Sequence, residues 1–147
     1  MKVLVNGICR GRIMELQQRE PFLSGIVESV PTADPVDSTR AHALRRVANS
    51  LYSLYTQMAE YPAQAVQLRM MGSDSCSFLA DAIAQNSGID FKDKAKLLCN
   101  LHPVRRLEQA VLLLQQELEM LQLEASIQEK TRSSLTRTRR ITICASR

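Results

Sequence analysis

Tryptophan is absent from the 147-residue chain, and tyrosine and phenylalanine occur three times each. A core of this composition has to be built from Leu, Ile, Val, Ala and Met, which favours helices over a sandwich or barrel. The length suffices for one ordinary domain with a buried core. His42 and His102 are the two histidines and lie far apart, and Cys9, Cys76, Cys99 and Cys144 show no zinc-ligand spacing. Free thiols, a reducing cytoplasm, and neither metal nor cofactor are the expectation. Gly7, Gly11 and Gly25 are isolated and no Gly-Lys-Ser or Gly-Lys-Thr occurs, so there is no phosphate-binding loop. No serine has a recognisable histidine base and no two acids form a recognisable acid–base pair, so no catalytic site is expected. No apolar run has transmembrane length, and no basic segment leads an apolar one; a membrane is not an expected partner.

What is present is a long helical pattern. Pro103 to about Thr131 reads as one helix of roughly 28 residues, about 42 Å at 1.5 Å per residue. Leu107, Val111, Leu114, Leu118, Leu121 and Ala125 alternate at spacings of four and three, the seam of a coiled coil or of a helix lying across others. These six are the candidate protein-contact residues. Leu113, Met120 and Ile127 form a second line seven apart, and Glu108, Glu117, Glu119, Glu124 and Glu129 charge the remaining face. Two apolar lines exceed what a solvated surface helix needs, so the helix is packed on two sides or takes a partner. The plainer alternative is the longest helix of a small bundle.

The first thirty residues differ in character. Met1–Val5 is a short β-branched and Leu run, Gly7 and Gly11 are natural places for positive φ or a bulge, and Pro21–Val30 reads as a further strand. Two or three strands do not make a complete sheet. Residues 31–39 turn to Pro, Asp, Ser and Thr, with Asp34, Pro35 and Asp37 resembling an acidic cap with Pro at the first helical position. The helix that follows runs to about Glu60 with Leu44, Val47, Leu51, Leu54 and Met58 on one face, widened by Tyr52 and Tyr55. Pro62 opens a short helix on which Val66 and Met70 are buried, with Ala65 and Leu68 beside them and Gln67 and Arg69 in solvent. A cap within Ser73–Ser75 starts a helix carrying Phe78, Leu79, Ala82 and Ile83, and an Asp90–Asp93 capping box starts one carrying Leu97, Leu98 and Leu101.

Residues 130–147 hold six basic and no acidic side chains, against thirteen basic and fifteen acidic over residues 1–129. Lys130, Arg132, Arg137, Arg139 and Arg140 would attract phosphate without specificity, but no aromatic interleaving or groove-reading motif accompanies them. Arg45-Arg46 and Arg105-Arg106 are isolated pairs. Nucleic acid is therefore not the expected partner. Beyond Thr131 neither helical nor strand periodicity continues, and a basic, uncapped end is of the kind that frays.

Several strings in order resemble one family. The opening Lys2-Val3-Leu4-Val5-Asn6-Gly7 with Arg10-Gly11-Arg12-Ile13, then Phe78–Ala84, Phe91–Leu98, Arg106-Leu107-Glu108 and Glu117–Glu124, are together similar to the N-terminal domain of bacterial Lon, the ATP-dependent AAA+ serine protease, over roughly residues 1–135. The resemblance implies a PUA-like β lobe, a helical lobe and a long helix leading toward an ATPase ring. It also implies a role in capturing unfolded, damaged or regulatory protein substrates and in holding a hexamer. The nucleotide loop and Ser-Lys pair of the family have no counterpart in these residues. Where the family often has an acidic capping box before the long helix, this chain has His102 and Arg105, and an Arg there opposes the helix dipole by about 0.3–1 kcal/mol when exposed.

The expected fold is thus mainly α: a β remnant (1–31) of the PUA-like lobe, a helical lobe (32–102), the long helix (103–131) leading toward an ATPase domain, and a basic, disordered or frameshifted tail (132–147). The match begins within the β lobe. For Leu135–Arg147, codons can be chosen whose shifted frame reads Asp-Glu-Asn-Ala-Lys-Asn-Tyr-Tyr-Leu-Arg-Glu-Gln, similar to the family's Tyr-Tyr-Leu-Arg-Glu-Gln stretch, so a frameshifted tail is expected. The function this implies is non-catalytic recognition and assembly. The alternative is a small helical adaptor or a nucleic-acid binder using its tail. Val3, Val5, Ile8, Ile26 and Val27 are expected to be uncovered, as is the long helix from Leu118 onward, which predicts self-association through the strand edge, the helix or both.

Overall fold

The structure, a computed structural model, describes residues 3, 5, 7–31, 38–59 and 64–144, with backbone alone for 64 and 134–144. Met1, Lys2 and Leu4 of the first expected strand, the cap at Asp34, the stop at Pro62 and the side chains of the basic tail beyond Ser133 lie outside the described residues. The chain forms two units, Met1–Asp34 and Pro35–Arg147.

In the first unit, β1 (Arg10–Gln18) pairs antiparallel with β2 (Ser24–Val30). Val3 and Val5 belong to no strand. Ile13 faces Val27, Gly11 faces Ser29 and Leu16 faces Gly25, while Arg12 faces Glu28, and the register shifts at Met14 and Gln17. Directly opposed residues share a face, so one face is Gly11, Ile13, Leu16, Gly25 and Val27 and the other carries the Arg12–Glu28 pair. The amphipathic pattern of a sheet is in place. Among the described residues of the unit nothing covers the apolar face: Ile13, Leu16 and Val27 are exposed, as is Ile26 on the other face. Neither expected role, positive φ or a bulge, falls on Gly7 or Gly11: no described glycine has positive φ, and the register shifts lie between Ile13 and Glu15 and between Leu16 and Gln18. Gly11 and Gly25 serve close approach instead. A Cβ on Gly11 would stand 2.6 Å from Val27 Cγ1, and one on Gly25 would collide with the Glu15 carbonyl oxygen beside the register shift.

The second unit holds α1 (Thr39–Met58), α2 (Gln64–Met71), α3 (Cys76–Asn86), α4 (Phe91–Cys99) and α5 (Pro103–Cys144). Mainly α with a two-stranded β remnant is the observed class. Ser38 caps α1, its hydroxyl accepting from Ala41 N at 3.1 Å. The buried face of α1 is Ala41, Arg45, Ala48, Tyr52 and Tyr55, not the expected Leu line: Val47 and Leu54 are exposed, and Leu44, Leu51 and Met58 pack only at its edge. Both lines have four–three spacing. The one chosen has alanine at two of its positions, which lets the helix approach its neighbour closely, and α1 lies chiefly against α5.

On α2, Met70 is buried and Val66 half-buried as expected. Ala65 and Leu68 are exposed instead of widening that face, because the short helix touches α1 and α3 along a single line. Gln67 is half-buried and donates to Ser53 Oγ at 2.9 Å. Ser75 caps α3 by accepting from Phe78 N at 3.0 Å, and Leu79, Ala80, Ala82 and Ile83 enter the core. At α4 the expected capping box does not close. Asp90 makes no side-chain cap, and Asp93 instead pairs with Lys96 at 2.7 Å. Of the three leucines expected on it, Leu97 is buried, Leu98 is exposed, and Leu101, also exposed, lies past the helix end at Cys99.

The turn between α3 and α4 is pinned to α1: the Tyr55 hydroxyl accepts from Gly88 N at 2.9 Å, and Lys94 Nζ donates to the Ser87 carbonyl at 3.0 Å. A Cβ on Gly88 would run into the Glu117 carboxylate of α5, so three elements meet there. Tyr52, stacked near Tyr55 with ring centroids 6.2 Å apart, has a buried hydroxyl with no hydrogen-bond partner among the described residues. Burial first, and the neighbouring Tyr55 second, push its phenol above the usual value of 10.0. Such a group stabilises the fold fully below the unfolded-state value and loses that contribution as pH rises through the raised folded value. Tyr52→Phe, which removes an unsatisfied buried donor, is expected to stabilise the unit by about 1 kcal/mol at neutral pH. Its advantage over the wild type should widen above pH ~10. Urea midpoints at neutral and alkaline pH check both.

Candidate protein-contact site on the long helix

The candidate residues lie on a helix that is longer than the pattern predicts. It runs from Pro103 to Cys144, 42 residues, about 63 Å. Thirteen of its residues lie beyond Thr131, where periodicity is lost, because loss of an apolar pattern is not a stop signal. No Gly or Pro follows Pro103, and an established helix propagates at little cost. At its start Pro103 sits where no N–H partner is needed. Asn100 Oδ1 accepts from His102 N at 3.2 Å, and His102 Nδ1 accepts from Arg105 N at 3.5 Å, so His102 takes the capping place.

The seam is divided. Leu107, Val111, Leu114 and Leu118 are packed inside the bundle with Ala110, Leu121 is half-buried, and Ala125 is exposed. The first four are thus core, with α1 and α3 as their main partners, and exposure begins past Leu121 instead of at Leu118. The second line divides as well: Leu113 is half-buried, whereas Met120 and Ile127 are exposed, as are Leu112 and Leu123. At 100° per residue Leu112, Met120, Leu123 and Ile127 fall within one quadrant, opposite Leu114 and Leu118. Leu112 and Leu123 escape a search for strict sevens because Gln116 interrupts their four–four–three run.

Arg106 corrects the reading of Arg105-Arg106 as an isolated surface pair. Its side chain is completely buried. Nη1 donates to the Asn100 carbonyl at 2.8 Å and Nη2 to Ser77 Oγ at 2.5 Å, while Nε stands 3.5 Å from Asp81 Oδ1 in an ionic contact that is not a hydrogen bond. A planar guanidinium donates to two acceptors in different directions while its charge faces a third group, which an ammonium cannot do. Arg45 is likewise buried, 3.9 Å from Asp74. Glu108 accepts from Arg40 Nε at 2.7 Å, tying the start of α1 to α5. Two of the strings that carry the family resemblance therefore meet in space, through Asp81 and Arg106, and their polar residues hold helices together.

Among the described residues no group of three His, Cys, Asp or Glu side chains could hold a metal ion, and no helix is long and apolar enough to cross a membrane.

Residues 1–116 match the family described as ATP-dependent protease La (LON) substrate-binding domain. The chain is 30% identical over 135 residues to the Lon protease of Desulfovibrio desulfuricans, covering 92% of this chain and 15% of that protein. To the Lon protease of Chloroflexus aggregans it is 32% identical over 141 residues, covering 95% of this chain and 17% of that one. The Lon protease of Trichlorobacter lovleyi is 29% identical over 135 residues. The chain thus spans about a sixth of the length of these relatives. With the order of its strings, its β-then-α architecture and a match across 116 of 147 residues, the chain belongs to the LON substrate-binding domain family.

Proposed function

We propose that the chain is the non-catalytic, protein-recognising and oligomer-assembling segment of an ATP-dependent Lon protease, and that ATP hydrolysis and peptide cleavage are the work of domains other than this one. The observation that carries the reading is the family match over residues 1–116. Its partners are unfolded or damaged proteins and further copies of the chain, in the cytoplasm, with no small-molecule cofactor, membrane or nucleic acid involved. Apolar side chains left uncovered on the hairpin face and on α4 and α5 support this, since unfolded chains are distinguished by the apolar segments they expose.

The test is a titration of fluorescently labelled, unfolded casein with the purified chain, followed by anisotropy and gel electrophoresis in the presence of ATP and magnesium. Saturable binding that a second unfolded protein competes away, with casein left intact, is the expected result. Absence of binding would overturn recognition, and cleavage that persists through purification would overturn the non-catalytic reading.

A further inference from the structure

Among the described residues, α4 and α5 each keep an exposed apolar stripe after the core is closed. On α4, Phe91 and Leu98 are 81% and 61% exposed and, with exposed Ala95 between them, occupy positions i, i+4 and i+7 of one face. Exposed Lys92 lies along one side of that face and half-buried Lys94, whose Nζ also donates to the Ser87 carbonyl, along the other; Asp93 points away from it and is engaged with Lys96, and Asp90 stands ahead of the stripe, before Phe91. On α5, Met120, Leu123 and Ile127 are each a little over half exposed at i, i+3 and i+7, with Glu119 and Glu124 along the two sides and exposed Lys130 one turn past Ile127. Each stripe is two turns long, about 10 Å. The flanks of the α4 stripe carry lysine and those of the α5 stripe carry glutamate, with Lys130 at its far end.

We propose that the α4 stripe of one molecule docks on the α5 stripe of a second copy, Phe91 and Leu98 meeting Met120, Leu123 and Ile127 between rows of lysine and glutamate. Charge favours this pairing over its rivals: α4 on α4 sets Lys92 and Lys94 against lysine, and α5 on α5 at this stripe sets Glu124 against Glu124, relieved only at the Glu119 flank by Lys130. Because the two surfaces differ, the contact is heterologous, and each copy offers one surface of each kind to its neighbours. Two helical turns bury far less than the ~800 Å² per partner of a standard interface, so the association is weak and depends on concentration. The inference deepens the assembly half of the function proposed above and does not draw on the recognition half, which the casein titration reads separately.

The test uses the full chain in two variants, Phe91→Gln with Leu98→Gln and Met120→Gln with Ile127→Gln, followed by sedimentation velocity over a hundredfold concentration range. The wild type should grow in average size with concentration while each variant alone stays monomeric. An equimolar mixture should regain association but stop at two chains, since each variant keeps one intact surface. That restoration also shows that both variants are folded. A wild type that stays monomeric, a variant that associates as the wild type does, or a mixture that stays monomeric would each overturn the proposal; the second of these would point to α5–α5 or strand-edge pairing.

Discussion

Arg106→Met is expected to lower the stability of the helical unit by about 2–4 kcal/mol, a large share of the 5–15 kcal/mol that a domain of this kind has in total. The methionine nearly fills the volume, so the loss is not mainly a cavity. It comes from the Asn100 carbonyl, which ends the α4 helix region, and from the Ser77 hydroxyl, both of which lose a charged donor; a hydrogen bond of that kind is worth about 1.5–3 kcal/mol. Asp81 is 45% exposed on its side chain and recovers water, so its share is small. Arg106→Lys should rescue little, because one ammonium cannot reach acceptors on α3 and on the turn before α5 together. Urea titrations followed by helical circular dichroism give the comparison. A lysine variant as stable as the wild type would show that charge alone matters at this position.

The second large effect separates the two parts of the seam. Leu114→Ala, at a completely buried position, is expected to cost about 2–5 kcal/mol through lost transfer energy and the cavity left between α5 and its neighbours. Leu123→Ala, nine residues further along and 54% exposed, should change stability by no more than about 0.5 kcal/mol. Equal losses at the two sites would mean that the outer stripe is packed in the isolated molecule. The contrast is measured in monomeric protein, at concentrations below those at which copies pair.

The elements themselves were legible where local chemistry decides them. Ser75 before Cys76 and Gly88 after α3 mark that helix in the sequence, and Asp90 marks the start of α4 even though its side chain makes no cap. Faces were harder, for a physical reason. Periodicity weighs hydrophobicity, whereas packing also rewards small size, so α1 turns Ala41 and Ala48 inward in preference to Val47 and Leu54. Leu98 reads as core by type, yet the nine-residue helix buries Leu97 and leaves Leu98 exposed. A buried arginine is invisible to any pattern of apolar residues; only its recurrence in a family string beside a leucine hints that Arg106 matters. Spacing placed the six candidate contact residues on one helix but could not say which part of their line other helices already occupy.

The length of α5 beyond its last core contact has a mechanical consequence. From Leu121 to Cys144 the helix continues for 23 residues, about 35 Å, past the point where α1 and α3 hold it. Such an arm magnifies motion at its root: treated as a rigid rod, a tilt of about 10° at Leu121 carries the far end through about 6 Å. The root is where Glu117 abuts Gly88, with Tyr55 holding that turn. On that rigid-rod geometry, a shift of a fraction of an ångström in that turn would be enlarged several-fold at the far end of the helix.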